Sequence, residues 1–365
     1  MNTRFIINGF NDVGRSPDKS IAISLKILVI IAILYTLYFC SSFLLPIFVA
    51  GFIALFSSPL TRLIERCKVS RSFAAAIVIS FQIFIMVFAF VILVEPASHW
   101  LKRLPELSER LSTEMSGLAN SFESLKAYIL PEKEVESAVG GVVETMLVAA
   151  FSTVAGTTAT LIIQISIVFV VAYFFLVYGD NLMRSMVRAQ ASFGEKKKTV
   201  IIFQTVRDDV SHYVLVIFII NIGLGMATAL AMILLGIGDP ILWGVLATIL
   251  NFAPYLGPLL LCLILTGVGF IEYESFGAAF LVPGAYLLLN FLESQLITPT
   301  VLGKRFNMNP LLVVLWMFAW GWVWGAIGLL IAIPLLVFFK IISSHLGLIG
   351  DWVNVLDAEP DTGRR

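Results

Sequence analysis

Apolar residues in this chain come in long runs, with charge gathered in the gaps between them. Along 365 residues the runs cover roughly 27–46, 47–60, 73–94, 151–177, 213–235, 241–270, 276–296 and 311–342. About 20 apolar residues make a helix that crosses a hydrocarbon core of about 30 Å. The pattern therefore predicts an all-α polytopic membrane protein of about eight hydrophobic segments. Two runs fit a simple span poorly. The second lies between Pro46 and Pro59 and would make only about 21 Å of helix. The last exceeds thirty residues and contains Trp320-Gly321-Trp322 and Pro334. Both are expected to be irregular, with a bend or re-entrant turn tolerated in the last.

The sixth run, ILWGVLATILNFAPYLGPLLLCLIL from Ile241, is interrupted by Asn251, Pro254, Gly257 and Pro258. Two prolines at mid-depth free backbone groups that lipid cannot satisfy, so such a break needs a protein or water neighbour. Transporters commonly build their midplane sites from helices interrupted in this way. The alternative is a packed kink that holds no ligand. Gly51 to Ala54 before Pro59, Gly244 to Ala247 before Pro254, and Gly325 to Gly328 before Pro334 each repeat a small pair followed by proline. Recurrent broken segments fit transporter architecture, although small residues and prolines are common in membrane helices anyway.

Charge placement gives a topology. Arg62, Arg66, Lys68 and Arg71 crowd one short connection, and Arg184, Arg188, Lys196, Lys197, Lys198 and Arg207 fill another, so both are expected to be cytoplasmic. The N-terminus is then inside. The resulting plan is a cytoplasmic segment 1–20, membrane segments in 21–97, an extracytoplasmic region 98–150, a membrane segment 151–178, a cytoplasmic amphipathic connection 179–212, membrane segments in 213–345 and a cytoplasmic tail 346–365. A hairpin at Asn251 to Pro258 would put Glu272 and Glu274 outside and Lys304-Arg305 inside, as the charge rule prefers; a mid-span kink would reverse both. In the external region Leu104, Leu107, Leu111, Met115, Leu118, Phe122, Leu125 and Ile129 recur at helical spacing. This predicts a long amphipathic helix of about 39 Å, lying on the membrane or the bundle, or packing on another subunit.

Composition narrows the chemistry. The chain is 59% hydrophobic and 13% charged, with zero formal net charge and a mean hydropathy of +0.96, outside the range of soluble domains. Cys40, Cys67 and Cys262 form no CxxC pair, and His99, His212 and His345 are scattered, so no metal site is expected. There is no phosphate-binding glycine loop and no HExxH. An enzyme is not expected, nor a cofactor, nor a nucleic-acid partner; energy for transport would come from a gradient or another subunit. The candidate chemistry is polar residues inside apolar runs. Helical spacing puts Tyr286, Asn290, Glu293 and Ser294 on one face. Glu293 is a candidate cation or proton site, against the alternative of an interfacial carboxylate paired with Lys304 or Arg305. Asn251, Pro254, Tyr255, Gly257 and Pro258 complete the candidate path. Gly321 and Gly325 form a GxxxG pair among Trp316, Trp320, Trp322 and Trp324, suited to close helix packing, with a substrate-facing aromatic wall as the alternative, and Asp239 before Pro240 suits a helix cap.

The order of Tyr213, Gly225, Gly236, Pro240 and Gly244, then NFAPYLGP (Asn251 to Pro258), NFLESQLITPTVLGKRFNMNPLLVVL (Asn290 to Leu315) and GAIGLLIAIP (Gly325 to Pro334), resembles the autoinducer-2 exporter family of bacterial permeases. YFFLVYGDNL (Tyr173 to Leu182) and FLLPIFVAGFIALFSSPLTRLIER (Phe43 to Arg66) also fit. The resemblance implies a multi-pass bacterial inner-membrane protein, a homo-oligomer with pentamers among the relatives, and export of a small polar solute. Some relatives are associated with a furanosyl quorum signal and others with exchange of sodium or lithium for protons. One departure is Asn309, where relatives often have His before the proline. The expected function is secondary transport of a small polar solute by alternating access. Monovalent cation/proton antiport and a non-transporting envelope scaffold are the alternatives.

Overall fold

The computed structural model describes residues 17–103, 105–107, 134–190, 192–302 and 309–346. Among these the chain is almost entirely helical and contains no strand. The helices are α1 (Pro17–Phe39), α2 (Ser41–Glu65), α3 (Arg71–Lys102), α4 (Glu134–Ala189), α5 (Phe193–Leu234), α6 (Pro240–Leu250), α7 (Leu256–Glu272), α8 (Phe276–Ala279), α9 (Leu281–Leu292), α10 (Thr298–Leu302) and α11 (Pro310–Leu346), with a π-turn at Glu293–Ile297. Six helical stretches are long and apolar enough to cross a membrane. The eight apolar runs of the sequence fall on helices, the sixth on two of them, α6 and α7. All but the first few residues of the predicted external helix, Leu111 to Ile129 among them, lie outside the described residues.

The second run is not short. Its helix starts at Ser41, takes in both Pro46 and Pro59, and reaches 25 residues, so the break between the first two segments falls at Cys40 rather than at Pro46. α4 and α5 continue well past their apolar runs, to 56 and 42 residues. They are separated at Gln190–Ser192, where Ser192 and Glu195 form a reciprocal capping box at 3.2 Å each way. At 1.5 Å per residue α5 is about 63 Å long, roughly twice the hydrocarbon thickness.

Two segments fold back on themselves. Leu242 and Trp243 at the start of α6 share a core with Val268 and Ile271 at the end of α7, so these helices form an antiparallel hairpin with its tip at Asn251–Tyr255. Gly257 permits the closure: a Cβ there would lie 1.8 Å from the Leu250 carbonyl oxygen. In α11 the Trp316 Nε1 donates to the Ala332 carbonyl at 2.8 Å. Sixteen residues of straight helix would separate them by about 24 Å. The chain reverses at Gly325, whose φ of 62° and ψ of −145° are open to glycine almost alone.

The hairpins open toward opposite ends of α5. Tyr273 Oη, just past α7, donates to Leu235 at the C-terminal end of α5 at 2.6 Å. The base of the α11 hairpin shares a core with Val206 and Val210 nearer the start of α5. Ala253 at the first tip joins that same core, so the two hairpins meet partway along the bundle. α6 crosses α5 closely, because a Cβ on Gly225 or Gly244 would lie 2.5 or 2.6 Å from the other's carbonyl oxygen. Small residues that let helix backbones touch are a main source of association in lipid.

Candidate functional site

The tip of the first hairpin is held by amides rather than by apolar contact alone. Asn251 caps α6 and its Nδ2 donates to Asn221 Oδ1 of α5 at 2.9 Å. The Asn290 Nδ2 of α9 donates in turn to Asn251 Oδ1 at 3.3 Å. Three elements far apart in sequence thus converge on one chain of side-chain amides. Asn221 is 1% exposed and its Nδ2 has no partner. An unmade hydrogen bond on a buried amide costs about 1–3 kcal/mol, so this donor is poised for an acceptor.

Around the amides the backbone is strained. Tyr255 has φ 66° and ψ −54°, and Leu256 N donates to the Pro254 carbonyl at 2.8 Å, which makes a γ-turn with positive φ. Its side chain is exposed, whereas Ala253 and Gly257 on either side are buried and Pro254 and Pro258 partly so. Strain of this kind, worth about 1–3 kcal/mol, persists where surrounding contacts over-determine the backbone and gathers at functional sites.

One turn N-terminal to Asn290, Tyr286 is fully buried in the core of the first hairpin, and its hydroxyl has no partner. Beyond Asn290 the helix loosens into the π-turn, closed by Thr298 N–H to Glu293 C=O. Glu293 is buried and its carboxylate accepts from Thr298 Oγ1. Ser294 is exposed and bonds back to Phe291, so the π-turn removes it from the face that regular helical spacing assigns it. Single π-turns inside helices are frequent at functional sites. Gly321 packs on Leu329 of the opposite arm of α11, while Gly325 is the hinge, with nothing within 4 Å of a Cβ. The GxxxG pair is therefore one contact and one turn, and Gly328 takes the second close contact, against Trp320.

Each end of the bundle carries ionic fastenings. At the open end of the first hairpin, Asp239 accepts from Trp100 Nε1 at 3.0 Å and lies 3.4 Å from His99 Nδ1, while Arg103 pairs with Glu272 and sits over the Trp100 ring. Asp239 takes the N-cap position of α6 ahead of Pro240, as expected, and its carbonyl accepts from Leu242 N at 3.0 Å, but its side chain makes no cap hydrogen bond because the carboxylate is taken by α3. At the other end Asp180 joins Arg71 and Arg207, and Arg71 Nε also donates to the Leu176 carbonyl at 2.7 Å. Asn309 caps α11, accepting from Leu311 N at 3.0 Å.

Asn221 was missed by sequence reasoning. It is a polar residue in an apolar run, one helical turn before Gly225, and the same test that picks out Asn290 would find it. A hollow of about 560 Å³ lies elsewhere, between α3 and α4, lined by Ile79, Ile83, Val87, Ile165, Phe169 and other mostly apolar side chains. It has neither the amides nor the carboxylate and is not taken as the site. Among the described residues no His, Cys, Asp or Glu cluster could hold a metal ion.

Long apolar helices, two helical hairpins and linked amides at a hairpin tip define a multi-pass α-helical membrane protein of transporter type. Residues 27–347 match the family described as AI-2E family transporter, and the chain belongs to that family. It is 26% identical over 330 residues to the AI-2 transport protein TqsA of Escherichia coli K12, covering 88% of this chain and 90% of the relative. The putative transport protein YhhT of the same strain is 22% identical over 333 residues, covering 89% and 91%. The putative transport protein YueF of Bacillus subtilis is 22% identical over 316 residues, covering 83% and 84%.

Proposed function

We propose that this transporter moves a small polar solute out of the cell across the bacterial inner membrane by alternating access. The observation that carries the reading is the amide chain Asn221–Asn251–Asn290 at the tip of a half-depth hairpin. In the proposed orientation the N-terminus and the base of the α11 hairpin are cytoplasmic, and the first hairpin opens outward. The path runs past Asn251, the Pro254–Pro258 backbone, Tyr286 and Asn290. The name of the relative TqsA supports a solute of the autoinducer-2 kind. The exposed apolar faces of α3 and α4 are left to lipid or to further copies of the chain.

Glu293 favours a second reading, Na⁺ or Li⁺ exchange for protons, because a buried carboxylate at membrane depth is costly without a role. The two are separated in proteoliposomes by labelled furanosyl-signal efflux and by internal pH on adding external Na⁺ or Li⁺, with wild type and Glu293→Gln. Solute efflux that survives Glu293→Gln, without a cation-driven pH change, supports export. A cation-driven pH change lost in Glu293→Gln would replace it with antiport.

A further inference from the structure

We infer that Asn221 is a specificity-determining residue: its Nδ2 donates a hydrogen bond to an uncharged oxygen of the transported solute, and Asn251 and Asn290 hold its amide in that orientation. The inference rests on the transport reading above and adds to it a residue and a ligand class.

Donors and acceptors alternate along the three amides. Asn290 Nδ2 is used on Asn251 Oδ1, and Asn251 Nδ2 on Asn221 Oδ1. The carbonyls of Asn251 and Asn221 are thereby occupied, and the chain ends at Asn221 in an unused N–H on a side chain 1% exposed. An N–H end attracts an oxygen lone pair and opposes a bare cation. Reversing all three amides together would keep both hydrogen bonds and turn that end into a carbonyl, so the polarity of the subsite is a joint property of the three amides, and in the orientation present it is a donor. Thr228 and Ser57 are also buried polar side chains, but Thr228 satisfies itself on the Leu224 carbonyl at 2.8 Å and Ser57 is bonded by Gln82 at 2.9 Å.

The test begins with Asn221→Cys in the full chain carrying Cys40→Ser, Cys67→Ser and Cys262→Ala, reconstituted in liposomes. A small methanethiosulfonate reagent is expected to label it, the furanosyl signal to slow labelling, and Na⁺ or Li⁺ to leave the rate unchanged. The second arm compares Asn221→Val with its isostere Asn221→Thr. For efflux, KM should rise about tenfold in Asn221→Val, the factor that about 1.4 kcal/mol gives. kcat should hold within about twofold, as expected when an interaction common to bound and transition states is removed. Asn221→Thr, which restores a hydroxyl donor, should bring KM back to within about threefold of wild type.

Absence of labelling in a chain that transports would overturn the inference and leave the transport reading standing, with Asn221 a packing residue. Equal KM in the Thr and Val variants, or protection from labelling by Na⁺, would overturn it as well. Wild type that moves no furanosyl signal would sink the export reading before any variant is compared, and unprotected labelling would then remove the inference with it.

Discussion

At the scale of single residues, the hairpin tip depends on two positions that allow no ready substitute. Asn251 both accepts and donates, so Asn251→Ala strands two neighbouring amides at about 1–3 kcal/mol each. A clear fall in the melting temperature of the detergent-solubilised protein is expected, with loss of flux. Gly257→Ala must push a Cβ against the Leu250 backbone 1.8 Å away, whereas Gly223→Ala meets nothing within 4 Å. The first is expected to destabilise by about 3 kcal/mol, the upper range for overpacking, and the second to be neutral; equal melting temperatures would contradict the closure assigned to Gly257. Asn251 and Asn290 were legible in the sequence because a lone amide is conspicuous in an apolar run. Asn221 was equally conspicuous, but its importance comes from a partner thirty residues away. Asp239 shows the same limit. Local chemistry suggests a cap, and only the approach of Trp100 from α3 shows where the carboxylate goes.

Among the elements, the broken sixth run was readable as a break from its prolines and glycine, since these remove backbone donors or relax sterics locally. Whether it kinked or reversed depended on long-range packing, which settles it as a hairpin. The last run hid its reversal better. Its turn is a single Gly325 inside continuous apolar helix, and the GxxxG spacing pointed to helix packing. Gly325→Ala should cost about 1–3 kcal/mol for the forced backbone and shift the emission of the Trp320–Trp324 pair, whose rings are 4.6 Å apart. The second run misled in the opposite direction, because prolines at both ends suggested a short piece where a 25-residue helix carries them inside. Fastening of the first hairpin is also testable. Arg103→Gln removes the ion pair with Glu272 and the cation over Trp100, so amide hydrogen exchange in 240–272 is expected to quicken while that of 41–65 stays unchanged.

For the molecule as a whole, the class was legible because eight apolar runs leave few alternatives to a helical bundle in lipid. The pairing of hairpins was not, since it arises from contacts between elements and not from any one pattern. The two ionic clusters lie at opposite ends of the bundle, so Glu272→Cys and Arg62→Cys should be labelled by an impermeant thiol reagent from opposite sides of the membrane. Labelling of both from one side would overturn the arrangement of the hairpins. That arrangement has an electrical consequence. If water reaches the Asn221–Asn251–Asn290 chain along both hairpins, nearly the whole membrane potential falls across a septum only a few hydrogen bonds thick. One elementary charge crossing it would then gain or lose about 2.3 kcal/mol per 100 mV, about a fiftyfold change in rate if fully expressed, whereas an uncharged cargo would cross without registering the voltage at all.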